Sequence, residues 1–542
     1  MSETQTQPAQ TTSGWAPLRH RLFRDRWIAS IVSNIGGWMQ DTAGTWLMTA
    51  LTRSPLLIAL MQTAASLPVL MLGFAAGATA DMFDRRRLLI FWQTWMLVAV
   101  LILSALTLLG IVSPWSLLTL TFLLNIGAAM TNPAWQAIVP ELVPRQELPD
   151  AIAMNSAGYN LARAVGPALG GLMVAAFTST TAGAGWVFFV NAISFVAVIW
   201  VLYAWHRTPL FKSALPGERM LGSMRTGLRY VRYAPALQAV LIRAFVFTFF
   251  VSAVWALLAV VAQQHLHQGA VGYGILNGCL GVGAVVGAIC LPTVRNKLSA
   301  DQIVAICTVV AAINLFILAF ARNTPLIIFG LLAGGFAWTS TTSTFNVAVQ
   351  LSIPAWVQAR ALGIYQTIFQ GGMALGSVAW GFTAEHISTP RALMFSAIGL
   401  LITIPLTRGL HLLRGKPADL RPFTLSRPTP QLVIEPSYDD GPVFVTVEYQ
   451  VHKENRDPFV ESIHKLRDVR MRNGAIRWGV YQDGSNPERF VETFVVDSWL
   501  EFLRSRERMT ANDRAIRDGV LLYYEGDAPP PISYMLYARE KA

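Results

Sequence analysis

Two charged residues stand inside long apolar runs, where charge is expensive. Asp41 lies about fourteen residues into the run 27–51, ~21 Å along a helix axis at 1.5 Å per residue. Arg163 lies about fourteen residues into the run 149–177. An ionised side chain at bilayer depth costs at least ~2.5 kcal/mol, so each must face protein or a water-filled cavity. Two readings of Asp41 stand at this point: it carries a proton across, or a structural partner holds it. Arg163 is available as that partner. If the two runs point the same way, both residues reach similar depth, and an ion pair would offset the desolvation of each. Arg163 could otherwise bind an anionic substrate or serve only the fold. Asp41 and Arg163 are therefore the candidates for proton coupling.

Polar and aromatic residues in other runs could line a cavity around them. The candidates are Asn34, Gln40, Asn160, Trp338, Tyr365, Gln366 and Gln370. Any one alone reads better as an interhelical hydrogen bond or a lipid contact. Together they suit an amphipathic organic molecule better than a sugar or an inorganic ion. Around Arg163 the chain reads Ala162-Arg-Ala-Val-Gly166-Pro167-Ala-Leu-Gly170-Gly171. Ala162, Gly166 and Gly170 share one helix face and admit a close neighbour, while Pro167 favours a bend. The segment resembles the fifth-span antiporter signature of major facilitator exporters, with Ala162 in place of its first glycine. That resemblance implies export against protons. A second stretch, with Gly77, Asp81, Arg85 and Arg86 between two apolar runs, resembles the loop signature of the same superfamily. Asp81 is expected near Arg360, where the eleventh span begins, as a conformational latch between halves.

The elements that must position these residues are membrane helices. Of 542 residues, 53% are hydrophobic and 13% charged, far below the ~25% charged of a soluble protein. Runs of ~20 apolar residues recur along the chain. They give twelve expected spans: 27–51, 56–80, 87–110, 115–139, 149–177 and 186–205, then 236–262, 270–293, 301–321, 325–350, 359–386 and 391–411. Net charge is +11, and the basic residues fall almost wholly in alternate connections. That asymmetry predicts a multi-pass protein of the inner (plasma) membrane with both termini cytoplasmic. The expected division is a cytoplasmic segment 1–26, a six-span half 27–205, a linker 206–235, a six-span half 236–412, a linker 413–442 and a terminal domain 443–542. The two halves look like a repeat. A shift of 210 carries Gly77 onto Gly287, Arg85 onto Arg295, Pro144 onto Pro354, Gly166 onto Gly376 and Gly171 onto Gly381. Leu291 stands where Asp81 would fall. A basic amphipathic piece at Met224–Tyr233 interrupts the middle linker.

From Val443 the pattern changes to that of a small α+β domain. Strands are expected at 443–451, 475–481, 489–496 and 532–538, with helices at 458–472, 498–509 and 511–522. The order β-α-β-β-α-β is ferredoxin-like. The stretch resembles the antibiotic-biosynthesis-monooxygenase-like domain, which implies a homodimer through this domain. His464 and Trp478 are suggestive of chemistry, but no nucleophile–base pair or nucleotide loop accompanies them. Cys279, Cys290 and Cys307 all lie in apolar runs and give no metal spacing. No catalytic residue, cofactor or metal is expected, and no nucleic-acid partner.

The membrane part as a whole resembles the major facilitator superfamily. It is most similar to exporters of the enterobactin-exporter and transmembrane-secretion-effector type, through Asn34-Ile-Gly-Gly-Trp-Met-Gln-Asp41, Ser54-Pro55 and Asn160–Pro167. The implied fold is all-α, twelve transmembrane helices in two six-helix halves, plus the small ferredoxin-like domain. The implied function is secondary active export of a small organic molecule by proton antiport with alternating access. The alternative is a membrane-tethered monooxygenase-like enzyme, or a regulatory domain fused to an uncoupled facilitator. Expected partners are membrane lipid, protons and the substrate.

Overall fold

A computed structural model describes residues 16–144, 146–204, 220–412, 419–421 and 436–538. The chain folds as two compact units. The first comprises residues 1–216, 243–345 and 366–409, and the second residues 217–242, 346–365 and 410–542.

Helices of the membrane part are α1 (Arg21–Leu51), α2 (Pro55–Met82), α3 (Arg85–Leu108), α4 (Pro114–Leu142), α5 (Leu148–Ala175) and α6 (Thr180–Ala204). After α7 (Met220–Arg232) follow α8 (Pro235–Val251), α9 (Ala253–Val260), α10 (Ala270–Arg295), α11 (Ala300–Phe320), α12 (Thr324–Leu351), α13 (Gln358–His386) and α14 (Thr389–Leu406). Local chemistry sets many of their starts. Ser54, Asp84, Ser113, Ser299 and Ser388 each accept a hydrogen bond from the backbone N–H three residues on. A cap of this kind satisfies one of the orphan donors of a first turn. Nine helical segments among the described residues are long and apolar enough to cross a membrane. Helices α1, α5 and α13 are as long, at 31, 28 and 29 residues, but carry more polar side chains. They are the helices that hold Asp41, Arg163, and Gln366 with Gln370.

The terminal sheet comprises β1 (Val443–Gln450), β2 (Ala475–Gln482), β3 (Arg489–Val496) and β4 (Ile532–Leu536). Its order is β2-β3-β1-β4, with every neighbouring pair antiparallel. Helix α15 (Arg456–Asn473) links β1 to β2, and α16 (Trp499–Glu507) and α17 (Ala511–Leu521) link β3 to β4. Strand β3 alternates buried and half-buried residues, as expected for one packed face. Val443, Val445, Val447, Phe490, Phe494 and Val496 pack on Phe459 and Ile463 of α15 and Phe502 of α16. Gly474 ends α15 at φ +143°, a conformation only glycine adopts without strain.

Candidate functional site

The site is built on α1, α5 and α10 of the first unit. Trp38, Asp41 and Thr45 recur at helical spacing, so they share a face of α1. Arg163 and Tyr159 stand one turn apart on α5. The Arg163 guanidinium lies over the Trp38 ring, 5.7 Å from its centroid. Tyr159 meets the same indole edge-on at 6.2 Å. Tyr159 is within electrostatic reach of both Arg163 and Asp41.

The expected ion pair between Asp41 and Arg163 is not formed in this structure. Neither side chain has a hydrogen bond or salt bridge among the described residues. The reason is geometric: the indole of Trp38, one turn before Asp41, takes the guanidinium onto its own face. Asp41 is exposed, and so is Tyr159. A Cβ added at Gly37, one turn below Asp41, would meet nothing within 4 Å. The α1 face is thus open at Gly37 and at Asp41. Beyond Asp41 it meets α10 and the segment after α9. Thr42 accepts from Asn277 Nδ2 at 3.3 Å. The ring of Tyr273 of α10 stacks on Trp46 at 5.7 Å. Gln263 Nε2 donates to the Thr49 carbonyl at 3.0 Å.

Glycines set how near these helices come. A Cβ on Gly166 would stand 2.5 Å from the Trp38 Cβ, and one on Gly170 2.7 Å from the Met39 carbonyl oxygen of α1. Gly171 faces the opposite neighbour, where a Cβ would stand 2.5 Å from the Ala270 carbonyl oxygen. From α10, Gly274 meets the Pro167 carbonyl at 2.6 Å and Gly281 that of Arg163 at 2.5 Å. The Gly166–Gly171 motif thus presses α5 between α1 and α10, with backbone on backbone. Ala162 is fully buried on the same helix.

A second seam of the same kind joins α2 to α13. A Cβ on Gly381 would meet that of Ala59 at 2.6 Å. Thr63 Oγ1 donates to the Ala374 carbonyl at 3.2 Å. At the end of this seam Glu385 accepts from the Ser54 hydroxyl at 2.8 Å and from the Leu56 N–H at 3.3 Å. A carboxylate there neutralises orphan donors of the α2 N-terminus. Gly171 and Gly381, 210 residues apart, each lie at a close helix approach.

A family profile described as transmembrane secretion effector matches residues 12–542, terminal domain included. The chain belongs to the transmembrane secretion effector family. It is 27% identical over 397 residues to an uncharacterized MFS-type transporter, YfiS, of Bacillus subtilis (strain 168), covering 71% of this chain and 91% of that one. It is 24% identical over 368 residues to the multidrug efflux pump Tap of Mycolicibacterium fortuitum, covering 66% and 88%. It is 22% identical over 390 residues to the staphyloferrin A transporter of Staphylococcus aureus (strain NCTC 8325 / PS 47), covering 72% and 95%. Among solved structures it shares the fold of the nucleoside transporter NupG, at a TM-score of 0.58 and 11% identity over 72% of this chain and 98% of that one. This family member is a multi-pass membrane protein and a secondary transporter of small molecules.

Other expected site residues of the transmembrane secretion effector protein lie apart from Asp41. Gln40 is buried, and its Oε1 accepts from Asn191 Nδ2 of α6 at 2.6 Å, so it joins helices instead of facing open space. Asn34 Nδ2 donates to Ser30 Oγ at 3.4 Å and Asn160 Nδ2 to the Ser156 carbonyl at 2.9 Å, each within its own helix. Trp338 packs among Trp255, Phe247 and Phe369. Tyr365 is buried, Gln366 exposed and Gln370 half-buried. In the loop stretch, a Cβ at Gly77 would meet nothing within 4 Å. Arg86 donates to the carbonyls of Leu202 and Tyr203, both at 2.8 Å, and so caps the end of α6. Arg85 opens α3. The Asp81 side chain lies outside the described residues.

The second unit holds a polar cluster that residue types alone did not single out. Glu501 of α16 accepts from Arg229 Nη2 of α7 at 2.9 Å and from Arg508 Nη1 at 2.5 Å. Arg508 in turn lies over Trp356, 4.8 Å from the ring centroid, and Tyr230 of α7 meets that indole edge-on at 5.6 Å. Arg360 lies beside α7, its Cβ 3.1 Å from a Cβ added at Gly227. Burial pushes the Tyr230 hydroxyl up to about 12 and draws the Arg229 guanidinium down. The usable signal was the basic amphipathic stretch itself, whose buried side carries Tyr230. Tyr273 and Glu385 were also missed. Each is a polar residue near the end of an apolar run, which composition cannot separate from an interfacial anchor.

In the terminal domain, Glu492 is fully buried and accepts from Arg470, Trp478 Nε1 and the Tyr449 hydroxyl. His464 Nδ1–H donates to the Val460 carbonyl at 2.7 Å, and its ring meets Trp478 edge-on at 5.5 Å.

Proposed function

We propose that this transporter exports a small organic molecule, a siderophore, drug or secondary metabolite, by proton antiport. Twelve spans in two six-helix halves form the membrane part: the nine apolar segments with α1, α5 and α13. Both termini are cytoplasmic, as the basic connections indicate, and the membrane is the inner (plasma) membrane. One observation carries the reading. Among the described residues Asp41 has no partner on an α1 face that is open at Gly37, while further along α1 Tyr273 stacks on Trp46 and Gln263 donates to the Thr49 carbonyl. Such an acid can take up a proton from one side and release it to the other as access alternates. Arg163 completes the coupling site. The loop with Gly77, Asp81, Arg85 and Arg86 acts as the conformational latch in this scheme. The relatives Tap and the staphyloferrin A transporter support the substrate range.

We read the terminal domain as ferredoxin-like and monooxygenase-like, a reading its strand order β2-β3-β1-β4 supports. We read it as non-catalytic, because Glu492 is engaged by three donors. Phe444 and Met535, paired across β1 and β4, and Tyr481 of β2 are exposed on the sheet. That face supports a homodimer through a second copy.

Uptake into inside-out vesicles, with siderophores and drugs as cargo, tests the reading. Proton-driven uptake that Asp41→Asn abolishes is expected. Equal uptake by parent and variant, with or without the gradient, would replace antiport by an uncoupled facilitator.

A further inference from the structure

Among the described residues the two charged side chains of the site have no counter-charge, and each has a different remedy. A guanidinium stays protonated at any accessible pH. Arg163 therefore keeps its charge at bilayer depth, and the described chain offers it only the face of Trp38 at 5.7 Å. Cation–π contact stabilises such a group in part, by about 0.5–2 kcal/mol, and leaves its in-plane N–H donors unused. Those donors fit a planar anion. Asp41 has two remedies, a proton or a cationic group. Between them the wall is aromatic. Tyr159 is 48% exposed and touches Trp38 only by an edge contact, so one ring face is free to stack on a flat ligand.

We infer that the space between Trp38, Asp41, Tyr159 and Arg163 binds a zwitterionic aromatic molecule, its anionic group on Arg163 and its ammonium on Asp41. The inference rests on the transporter reading above and specifies its substrate class. A molecule with the anion alone leaves Asp41 to be neutralised by a proton. A molecule with the cation alone leaves Arg163 uncompensated. The zwitterion satisfies both, and its ammonium competes with a proton for one carboxylate.

One scaffold tests this without transport. Ciprofloxacin carries a carboxylate and an ammonium, its methyl ester only the ammonium and its N-acetyl derivative only the carboxylate. Binding of each to the full-length protein in detergent is measured by titration calorimetry at neutral pH. The zwitterion is expected to bind at least fivefold tighter than either derivative. Asp41→Asn should remove its advantage over the N-acetyl form, and Arg163→Gln its advantage over the ester. Arg163→Lys keeps the charge and should keep the ranking, which separates charge recognition from a folding defect. An ester that binds as tightly as the zwitterion overturns the inference. So does a ranking unchanged by Asp41→Asn, or no binding of any of the three at millimolar concentration. Proton-driven uptake in vesicles is a separate measurement, so the transport reading can fail while this one stands.

Discussion

Arg163 rests on the face of Trp38, 5.7 Å from the ring centroid, and not against Asp41. In the proposed mechanism the aromatic ring holds the two opposite charges of the site apart, so that each can meet a ligand or a proton. If the ring does this, shortening it lets the charges collapse together. Trp38→Ala is expected to lower proton-driven uptake at least fivefold, and Trp38→Phe to retain most of it. Initial uptake rates in vesicles decide this. A Trp38→Ala rate equal to that of the parent would mean that the ring does not hold the charges apart.

Helix spacing gives a contrast between two glycines. Gly171→Ala puts a Cβ 2.5 Å from the Ala270 carbonyl oxygen, with backbone on both sides. Overpacking of this sort costs about 1–3 kcal/mol. Gly37→Ala meets nothing within 4 Å and gains about 0.5–1 kcal/mol of helix propensity. Thermal unfolding in one detergent should place the midpoint of Gly171→Ala well below the parent, and that of Gly37→Ala at or above it.

Ser54 both caps α2 and donates to Glu385 at 2.8 Å. Ser54→Ala removes both interactions and should cost about 0.5–2 kcal/mol. The loss falls on the seam between α2 and α13, so the closed end should open more often. A cysteine at Thr45, labelled by a membrane-impermeant maleimide, is expected to react several-fold faster in the Ser54→Ala background. An unchanged rate would show that the seam does not depend on this cap.

Glu501 lies between two guanidiniums in the second unit, with 14% of its side chain exposed. Glu501→Gln leaves Arg229 and Arg508 facing each other. Removing one partner of a buried pair costs about 3–5 kcal/mol, and the partial exposure here points to the low end. Amide exchange over 220–232 should quicken at least tenfold while β1 and β3 keep their protection. Trp356→Ala should give the same pattern more weakly.

The turn after β2 responds to acid. Backbone N–H of Ser485, then Arg489, hold the Asp483 carboxyl below its ordinary range. A carboxylate with a lowered folded value stabilises above the ordinary value near 3.8. That contribution is lost as pH falls through the lowered value. Amides 484–489 should therefore lose protection in acid before the sheet does, and Asp483→Asn should remove this pH dependence. Exchange measured from pH 6 downward, with rates corrected for intrinsic pH effects, tests it.

Much of the architecture could be read from the chain. The apolar runs marked the membrane helices to within a few residues, because a helix that crosses hydrocarbon must be apolar over nearly its whole length. The run 149–177 became α5, Leu148–Ala175, and the run 359–386 became α13, Gln358–His386. Alternation in the last hundred residues gave all four strands, with 475–481 observed as Ala475–Gln482. The 210-residue shift paired Gly171 with Gly381, and each of them lies at a close helix approach. The site was less legible. Gln40 and Asp41 are adjacent, yet one binds α6 and the other faces open space.

Sequence by itself determined which segments form long apolar helices, where charge is costly and which glycines admit a neighbour. These follow from composition and local spacing, and need no knowledge of partners. Only the tertiary structure decided that Arg163 meets Trp38 instead of Asp41, that Glu385 returns to Ser54 across 331 residues of chain, and that Glu501 gathers Arg229 and Arg508. A polar side chain in a membrane helix must find some partner, but many are chemically equivalent. Helix packing alone selects among them.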